Sequence, residues 1–278
     1  MISQITGATV RALLVMILVA MPALILPDVA VETTQVVALF ALMAAVLTFA
    51  EYATTYPGLV EFRYAPPFNR LRFATLFLTV LMLTLLSVGQ SDASSSTRLI
   101  EVLGLRVSQL LDFPYSPVRL VALMLSPDVS AEHVRQVSAA AGLSYMTSLL
   151  MLAVFWSSLR LRNWPLGPRP FNVWVNLPTF DPTAGGDVVQ RLERDAAVNI
   201  ALGFLLPFLI PALVRLSSAL LQPVTLESAQ TLVWLISAWA FLPASLLMRG
   251  IAMGRVARLI REKRQREIQD QPAEMQPA

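Results

Sequence analysis

Cysteine is absent from the 278 residues, and histidine occurs only once, at His133. A chain without cysteine forms no disulfide, no thiolate metal site and no thiol nucleophile. Catalytic zinc takes about three side-chain ligands, so a single histidine would leave carboxylates to complete the set. A haem held within a span usually has histidine as an axial ligand, and no apolar segment contains one. The sequence therefore predicts neither a metal site nor a cofactor.

Motifs for phosphate binding and for nucleophilic catalysis are missing as well. No glycine-rich phosphate loop occurs, and Gly185-Gly186 is an isolated pair. No Gly-x-Ser-x-Gly elbow is present. Because the sequence shows no convergent set of polar residues, we expect that this chain is not an enzyme.

Charged residues are scarce, at 14% of the chain, whereas apolar residues make up 56%. The mean hydropathy is +0.63. A water-soluble domain usually carries about 25% charged residues. The apolar residues also come in long blocks, which need hydrocarbon around them. This composition excludes an ordinary soluble domain and indicates a membrane protein.

Six apolar blocks approach or exceed the roughly 20 residues that a helix needs to cross a bilayer. They comprise residues 12–26, 36–50, 73–88, 143–159, 196–221 and 232–248. The first block could also be a secretory signal peptide, but its single Arg11 and the Asp28 near the only small-residue site favour a retained span. The predicted fold is an all-α transmembrane bundle of about six spans, with short amphipathic interfacial helices in an outer loop.

Basic residues are concentrated on one side of these spans. They occur at Arg11, in segments 63–72 and 160–194, and in the tail from Arg249 onward, whereas the short turns 28–35 and 222–228 contain none. By the positive-inside rule, both chain ends are predicted to lie in the cytoplasm. The excess of arginine over lysine suggests a bacterial chain in the inner membrane. Since the charges flank spans instead of forming a stripe, we expect no nucleic-acid partner.

Four parts organise the predicted chain: spans one to three in residues 1–90, an outer loop in 91–142, spans four to six in 143–250, and a basic tail in 251–278 with a disordered end. The outer loop begins with a flexible linker at 91–97. Apolar residues then recur every three or four positions across 99–111, which predicts an amphipathic helix on the membrane boundary. A short interfacial segment at 118–125 and a helix at 131–140 follow, and Gly142 is expected to separate that helix from span four.

The two long cytoplasmic loops are rich in aromatic residues and proline. Both contain a Pro-Phe-Asn triplet, at 67–69 and at 170–172, which could mark a faint internal repeat. The aromatic rings are expected to form a belt at the headgroup level.

Three ionisable residues lie close to or within hydrocarbon, where such residues are candidates for function. Arg11 and Glu51 are at the cytoplasmic ends of spans one and two and could pair with each other. Arg215 lies deeper, in span five.

Span five also contains Pro207 and Pro211, preceded by Asn199. A kinked span with freed carbonyl groups is a feature of transporters, although prolines are also tolerated for structural reasons. These residues, with Arg11, Glu51 and Arg215, are the candidate functional positions.

The tail carries a run of basic residues that could contact anionic lipid headgroups at the cytoplasmic face, each contributing about 1 kcal/mol. The candidate contacts are Arg255, Arg258, Arg261, Lys263 and Arg264.

Two functions are open to such a chain. The leading hypothesis is a non-catalytic subunit, assembly factor or scaffold of an inner-membrane complex, with other membrane proteins and the lipid bilayer as partners. It rests on the small number of polar residues within the spans. The alternative is a small-solute transporter or channel that uses the proline-kinked fifth span.

Overall fold

A computed structural model describes residues 2–27, 29–55, 58–161, 164–165, 172–181, 183, 185–218 and 225–269. All regular elements in these ranges are helices, because a chain in hydrocarbon must satisfy its backbone polar groups internally. They are α1 (Ile2–Ile25), α2 (Val31–Ala53), α3 (Phe68–Val88), α4 (Ser95–Leu110), α5 (Pro117–Leu123), α6 (Ala131–Leu161), α7 (Val173–Asn176), α8 (Val188–Ser218) and α9 (Ala229–Gln269). Six of them, α1, α2, α3, α6, α8 and α9, are long and apolar enough to cross a membrane. The prediction of an all-α polytopic bundle is confirmed.

Consecutive spans run in alternating directions. We call the side that carries the start of α1, the α2–α3 and α6–α8 connections and the end of α9 the terminal side. The opposite side carries α4, α5 and the α8–α9 connection. The last nine residues, with their predicted disorder, lie outside the described ranges, as do Pro170 and Phe171 of the second Pro-Phe-Asn triplet.

Helices α8 and α9 pack more extensively on each other than any other pair. Their backbones approach closely at two glycines. A Cβ atom at Gly203 would lie 2.6 Å from the carbonyl oxygen of Pro243, and one at Gly250 would lie 2.7 Å from that of Ala196. Small residues at such crossings allow membrane helices to gain dispersion contacts.

A cluster of buried aromatic rings closes the terminal side of the bundle. The ring of Phe68 lies 4.6 Å from Phe62 and 5.6 Å from Phe155, and Trp164 lies 5.1 Å from Phe155 between centroids. The Trp164 indole also donates a hydrogen bond to the carbonyl oxygen of Ala65 at 3.0 Å. The expectation of an aromatic belt is wrong for Phe62, Phe68 and Trp164, which are buried in the core.

Helix α6 runs unbroken through Gly142, so the predicted boundary between the outer loop and span four is wrong. This glycine allows α4 to approach α6: a Cβ atom at Gly142 would lie 2.8 Å from the backbone nitrogen of Ser108. The close contact, and not a break in the helix, explains glycine at this position.

Helix α4 begins earlier than predicted, because Ser94 and Thr97 form a reciprocal capping box. The predicted linker at 91–97 is therefore partly helical. Thr97, Gly104 and Ser108 are buried in this helix, and Ile100 and Leu105 pack partly on the core. Its other large apolar side chains include the exposed Leu99, Val102, Leu103 and Leu110. This distribution is the one expected of a helix that rests on lipid.

The first two spans form a hairpin beside the remaining four. Helix α2 packs mainly on α1, through Ala41 and Ala45, and only 6% of its apolar window is buried. Helix α1 joins the bundle core near its opposite-side end, where Leu18 and Met21 are buried. The hairpin and the bundle therefore diverge towards the terminal side.

Candidate functional site

A cavity of about 1350 Å³ lies where the hairpin diverges from the bundle. Pockets for drug-sized ligands usually measure about 300–1,000 Å³, so this one has room for a larger molecule. Its walls come from α1, α2, α3, α8, α9 and the α2–α3 connection. The terminal side carries Leu59 and Val60 of the connection together with most of the polar and charged residues of the wall, which are Arg11, Tyr52, Glu61, Asn69, Arg70, Arg72, Ser245 and Arg249.

The inner wall of the cavity is apolar. It contains Leu14 and Val15 of α1, Leu206 of α8, and Leu242 and Leu246 of α9. On α9, Leu242 lies seven positions before Arg249. This spacing corresponds to a rise of roughly 10 Å along the helix. The cavity is therefore amphipathic along the membrane normal. Arginine side chains lie at the terminal side, and apolar side chains line the part of the cavity that is deeper in the membrane.

Among the residues that the structure describes, Glu61 is the single carboxylate on the wall, and it accepts hydrogen bonds from neighbouring donors. The Nε and Nη2 atoms of Arg249 donate to its two carboxylate oxygens at 2.6 and 2.8 Å. The hydroxyl of Thr179 donates to it at 2.5 Å. Its side chain is only 10% exposed. Arg249 is thus neutralised within the protein, in a bidentate pair.

The other three arginines on the wall have no carboxylate partner among the described residues. Arg11 donates to the carbonyl oxygen of Gly7 at 2.7 Å, and its guanidinium carbon lies 4.7 Å from the ring centroid of Tyr52. The guanidinium carbon of Arg72 lies 5.6 Å from the ring centroid of Phe68, and Glu61 attracts this guanidinium without forming an ion pair with it. Arg70 is exposed at the mouth. An anion in the cavity would therefore meet uncompensated guanidinium groups.

Two polar atoms on the cavity wall are buried without a hydrogen-bond partner. They are the Nε atom of Arg72 and the hydroxyl of Ser245, a residue that is 6% exposed. Among the described residues, six hydroxyl groups away from the cavity are buried in the same way, so this feature alone does not identify a binding surface. Ser245 lies one helical turn before Arg249, on the same face of α9.

The α2–α3 connection, which carries Glu61, is fixed by the end of α2. The carboxylate of Glu51 accepts hydrogen bonds from the backbone nitrogens of Gly58, Leu59 and Val60 at 3.1, 3.0 and 3.1 Å. The expected Arg11–Glu51 pair is wrong, because Glu51 binds these amides and Arg11 faces Tyr52.

Arg63 completes this anchor from within the connection. Its guanidinium donates to the carbonyl oxygens of Tyr52 and Thr54 at 3.2 and 2.7 Å. These carbonyl groups belong to the last turn of α2, where a cation is favourable.

The predicted residues of α8 bond elsewhere and do not line the cavity. Pro211 has no N–H, which leaves the carbonyl group of Pro207 without its helical donor. That carbonyl oxygen accepts a hydrogen bond from the indole of Trp239 at 3.1 Å. Arg215 donates to the carbonyl oxygen of Leu123 in α5.

Asn199 is buried and donates to the carbonyl oxygen of Asp195 at 2.7 Å, one turn earlier in α8. His133 contacts the carbonyl oxygen of Thr225 at 3.0 Å, which ties α6 to the α8–α9 connection on the opposite side. Neither residue lies on the cavity wall.

The basic tail continues α9 and packs beside the start of α8. Arg261 pairs with Glu193, and Arg264 pairs with Asp187 at 2.6 Å. The hydrogen bond from Arg264 lowers the pKa of Asp187 below its ordinary value.

The remaining predicted headgroup contacts have varied surroundings. Lys263 pairs with Glu267 at 3.6 Å, Arg255 donates to the carbonyl oxygen of Trp164 at 3.3 Å, and Arg258 is exposed. Headgroup contact by Arg258 stays a prediction.

Among the predicted functional residues, Arg11 lies on the cavity wall. In the sequence, Arg70, Arg72 and Arg249 have the pattern of topology signals, and no motif singles out Glu61 or Ser245. One signal was available, because Glu61 is the single acidic residue between α2 and α3.

No family model matches this chain, and no curated protein or solved structure shows significant similarity to it. Among the described residues, no group of three or more His, Cys, Asp or Glu side chains is placed to hold a metal ion.

Proposed function

We propose that this protein is a non-catalytic membrane protein that binds an anionic amphiphile, such as a membrane lipid, between its α1–α2 hairpin and its helix bundle. The observation that carries this proposal is the polarity of the cavity. Uncompensated arginines lie at one end, and leucine and valine side chains line the other. A charged headgroup with an acyl chain has the same polarity.

The terminal side is assigned to the cytoplasm of a bacterial inner membrane in this proposal. The support is the concentration of basic residues there, since positive charge is retained on the cytoplasmic side. The arginines of the cavity then lie at the level of the cytoplasmic headgroups, where anionic lipids are attracted.

A subunit or scaffold of a membrane complex is the role that fits such binding best. Helix α2 packs mainly on α1 and leaves the rest of its surface to lipid or to other membrane proteins. Transport along α8 is less favoured, because Pro207 and Arg215 already bond to Trp239 and Leu123. These contacts give the kinked helix a packing role.

Native mass spectrometry of the purified protein tests the proposal. We expect the wild type to retain anionic lipid and Arg72→Gln to retain it at least tenfold less. The lost charged hydrogen bond contributes roughly 1.5–3 kcal/mol, which corresponds to about ten- to a hundredfold in affinity. Arg194→Gln is the matched control, since Arg194 is an exposed arginine of α8 outside the cavity.

Equal lipid retention by the wild type and Arg72→Gln, at equal thermal stability, would contradict the proposal. The same spectra distinguish the two roles. Stoichiometric partner chains support a subunit, and this chain alone, as a monomer or oligomer, favours transport.

A further inference from the structure

The cavity wall carries more positive charge than a singly charged headgroup can neutralise. Four arginines and one glutamate line it, which leaves an excess of three positive charges. Because Glu61 and Arg249 neutralise each other, the excess resides on Arg11, Arg70 and Arg72. These three residues come from α1 and from the first turns of α3.

Like charges that share a partly apolar cavity repel one another more strongly than they do in water. Each negative charge on a ligand offsets part of this repulsion. A phosphate diester carries one negative charge, whereas a phosphate monoester carries about 1.5 to 2 at pH 7 and offers three strong acceptor oxygens. Guanidinium groups match such oxygens in a planar, bidentate geometry.

Resting on the binding role above, we propose that the cavity selects an amphiphile whose headgroup is a phosphate monoester. The guanidinium group of Arg72, which lines the cavity, donates to its oxygens. Arg11 and Arg70 supply the further positive charge. The acyl chain lies along Leu242 and the other apolar side chains of the inner wall.

Glu61 acts as a positioning residue in this site. Its carboxylate accepts two hydrogen bonds from the guanidinium group of Arg249. These donors are therefore not available to the ligand. Glu61→Gln removes that internal counter-ion, and Arg249 becomes available to any anion. We expect Glu61→Gln to bind a phosphodiester lipid severalfold more tightly than the wild type, so that its preference for the monoester falls.

Thr179→Val is the matched control for this substitution. Thr179 donates to the same carboxylate, but its loss leaves the charge of the wall unchanged. Lipid affinity should therefore stay within about twofold of the wild type. Thermal melting of each variant shows whether the protein is folded.

The ionisation of the ligand provides the decisive test. The full-length protein is placed in nanodiscs of zwitterionic lipid that contain a small fraction of phosphatidic acid, a monoester, or of phosphatidylglycerol, a diester. The second ionisation of a phosphate monoester has a pKa near 6. The dianion is about one tenth of the population at pH 5 and nearly all of it at pH 8, so affinity for phosphatidic acid should rise about tenfold over that range.

Affinity for phosphatidylglycerol should change less than twofold between the same two pH values. The charged and titratable groups on the wall are Arg11, Tyr52, Glu61, Arg70, Arg72 and Arg249, and α8 contributes only leucine. Arginine stays protonated throughout this range. Because Glu61 is the remaining carboxylate, the tenfold rise must persist in Glu61→Gln if the ligand is the group that titrates.

Inorganic phosphate and glycerol phosphate separate a lipid source from a soluble one. If either binds as tightly as phosphatidic acid, the ligand is a soluble phosphate and the lipid assignment is wrong. Equal affinity for the monoester and diester lipids, or an affinity for phosphatidic acid that is flat with pH, overturns the selectivity while leaving anionic lipid binding intact. No retention of any anionic lipid by the wild type overturns the proposed function itself.

Discussion

Each arginine on the cavity wall has its own contacts, and those contacts decide what the side chain can do. Arg249 is neutralised by Glu61 in a bidentate pair. Arg11 donates a hydrogen bond to the carbonyl oxygen of Gly7 and lies over the ring of Tyr52. Arg72 is half-buried, whereas Arg11 and Arg70 are exposed, and among the described residues it forms no ion pair. Because water screens it least, Arg72 is the residue on which the proposed headgroup contact depends most.

The sequence alone places these arginines near the ends of spans but cannot distinguish their roles. Positive charge beside a span has the same pattern whether it fixes topology or binds a ligand. Their roles differ according to whether a carboxylate pairs with the arginine. Glu61, which pairs with Arg249, is 188 positions away from it in the sequence. Local pattern carries no information about such a contact.

The predicted pair between Arg11 and Glu51 is wrong for a related reason. Both residues lie at the same end of the hairpin, and opposite charge made a pair plausible. Glu51 instead accepts backbone amides from the loop that follows α2. These amides point at Glu51 because of the backbone conformation of the loop. The pattern of charged residues in the sequence does not reveal that conformation.

At the scale of elements, hydropathy predicted where helices lie better than where they end. The six spans and the helix near residue 99 were expected, because long apolar blocks and a three- to four-residue repeat are strong local signals. The predicted break at Gly142 is wrong, because this glycine lies within α6 and allows α4 to pack closely on it. Glycine in a helix therefore marks either an end or a contact, and only the neighbouring element decides which.

Glycine contacts between α8 and α9 lead to a stability prediction. Gly250→Ala should destabilise the protein by about 1–3 kcal/mol, because its Cβ atom would overlap the backbone of α8. The lowered melting temperature would be measured in detergent. Gly254→Ala is the matched control, since its Cβ atom would meet Ala196 at an ordinary 3.8 Å. A melting temperature for Gly250→Ala no lower than that of the control would refute the close crossing.

At the scale of the whole molecule, the divergence of the α1–α2 hairpin from the bundle produces the cavity. Composition predicts six spans, but it does not predict which of them pack together. In lipid, helices associate through packing and hydrogen bonds rather than through the hydrophobic effect. Mean hydropathy therefore gives no signal that α2 would pack mainly on α1, or that a space would remain beside α9.

The proposed orientation can be tested with reporter fusions. We expect cytoplasmic signals for fusions after Asn176 and Glu267, and signals from the far side after Glu32 and Glu227. The physical reason is retention of basic segments on the cytoplasmic side. A far-side signal after Asn176 would place the cavity arginines in the wrong leaflet and contradict the assignment.

The most direct measurement of the central claim is an electron cryomicroscopy structure of the protein in nanodiscs that contain anionic lipid. We expect an elongated density between the hairpin and the bundle, with its headgroup within hydrogen-bonding distance of Arg72 and its chain along Leu242. A hairpin packed flush against the bundle, with Arg11 and Arg72 paired to carboxylates of the same chain, would contradict it.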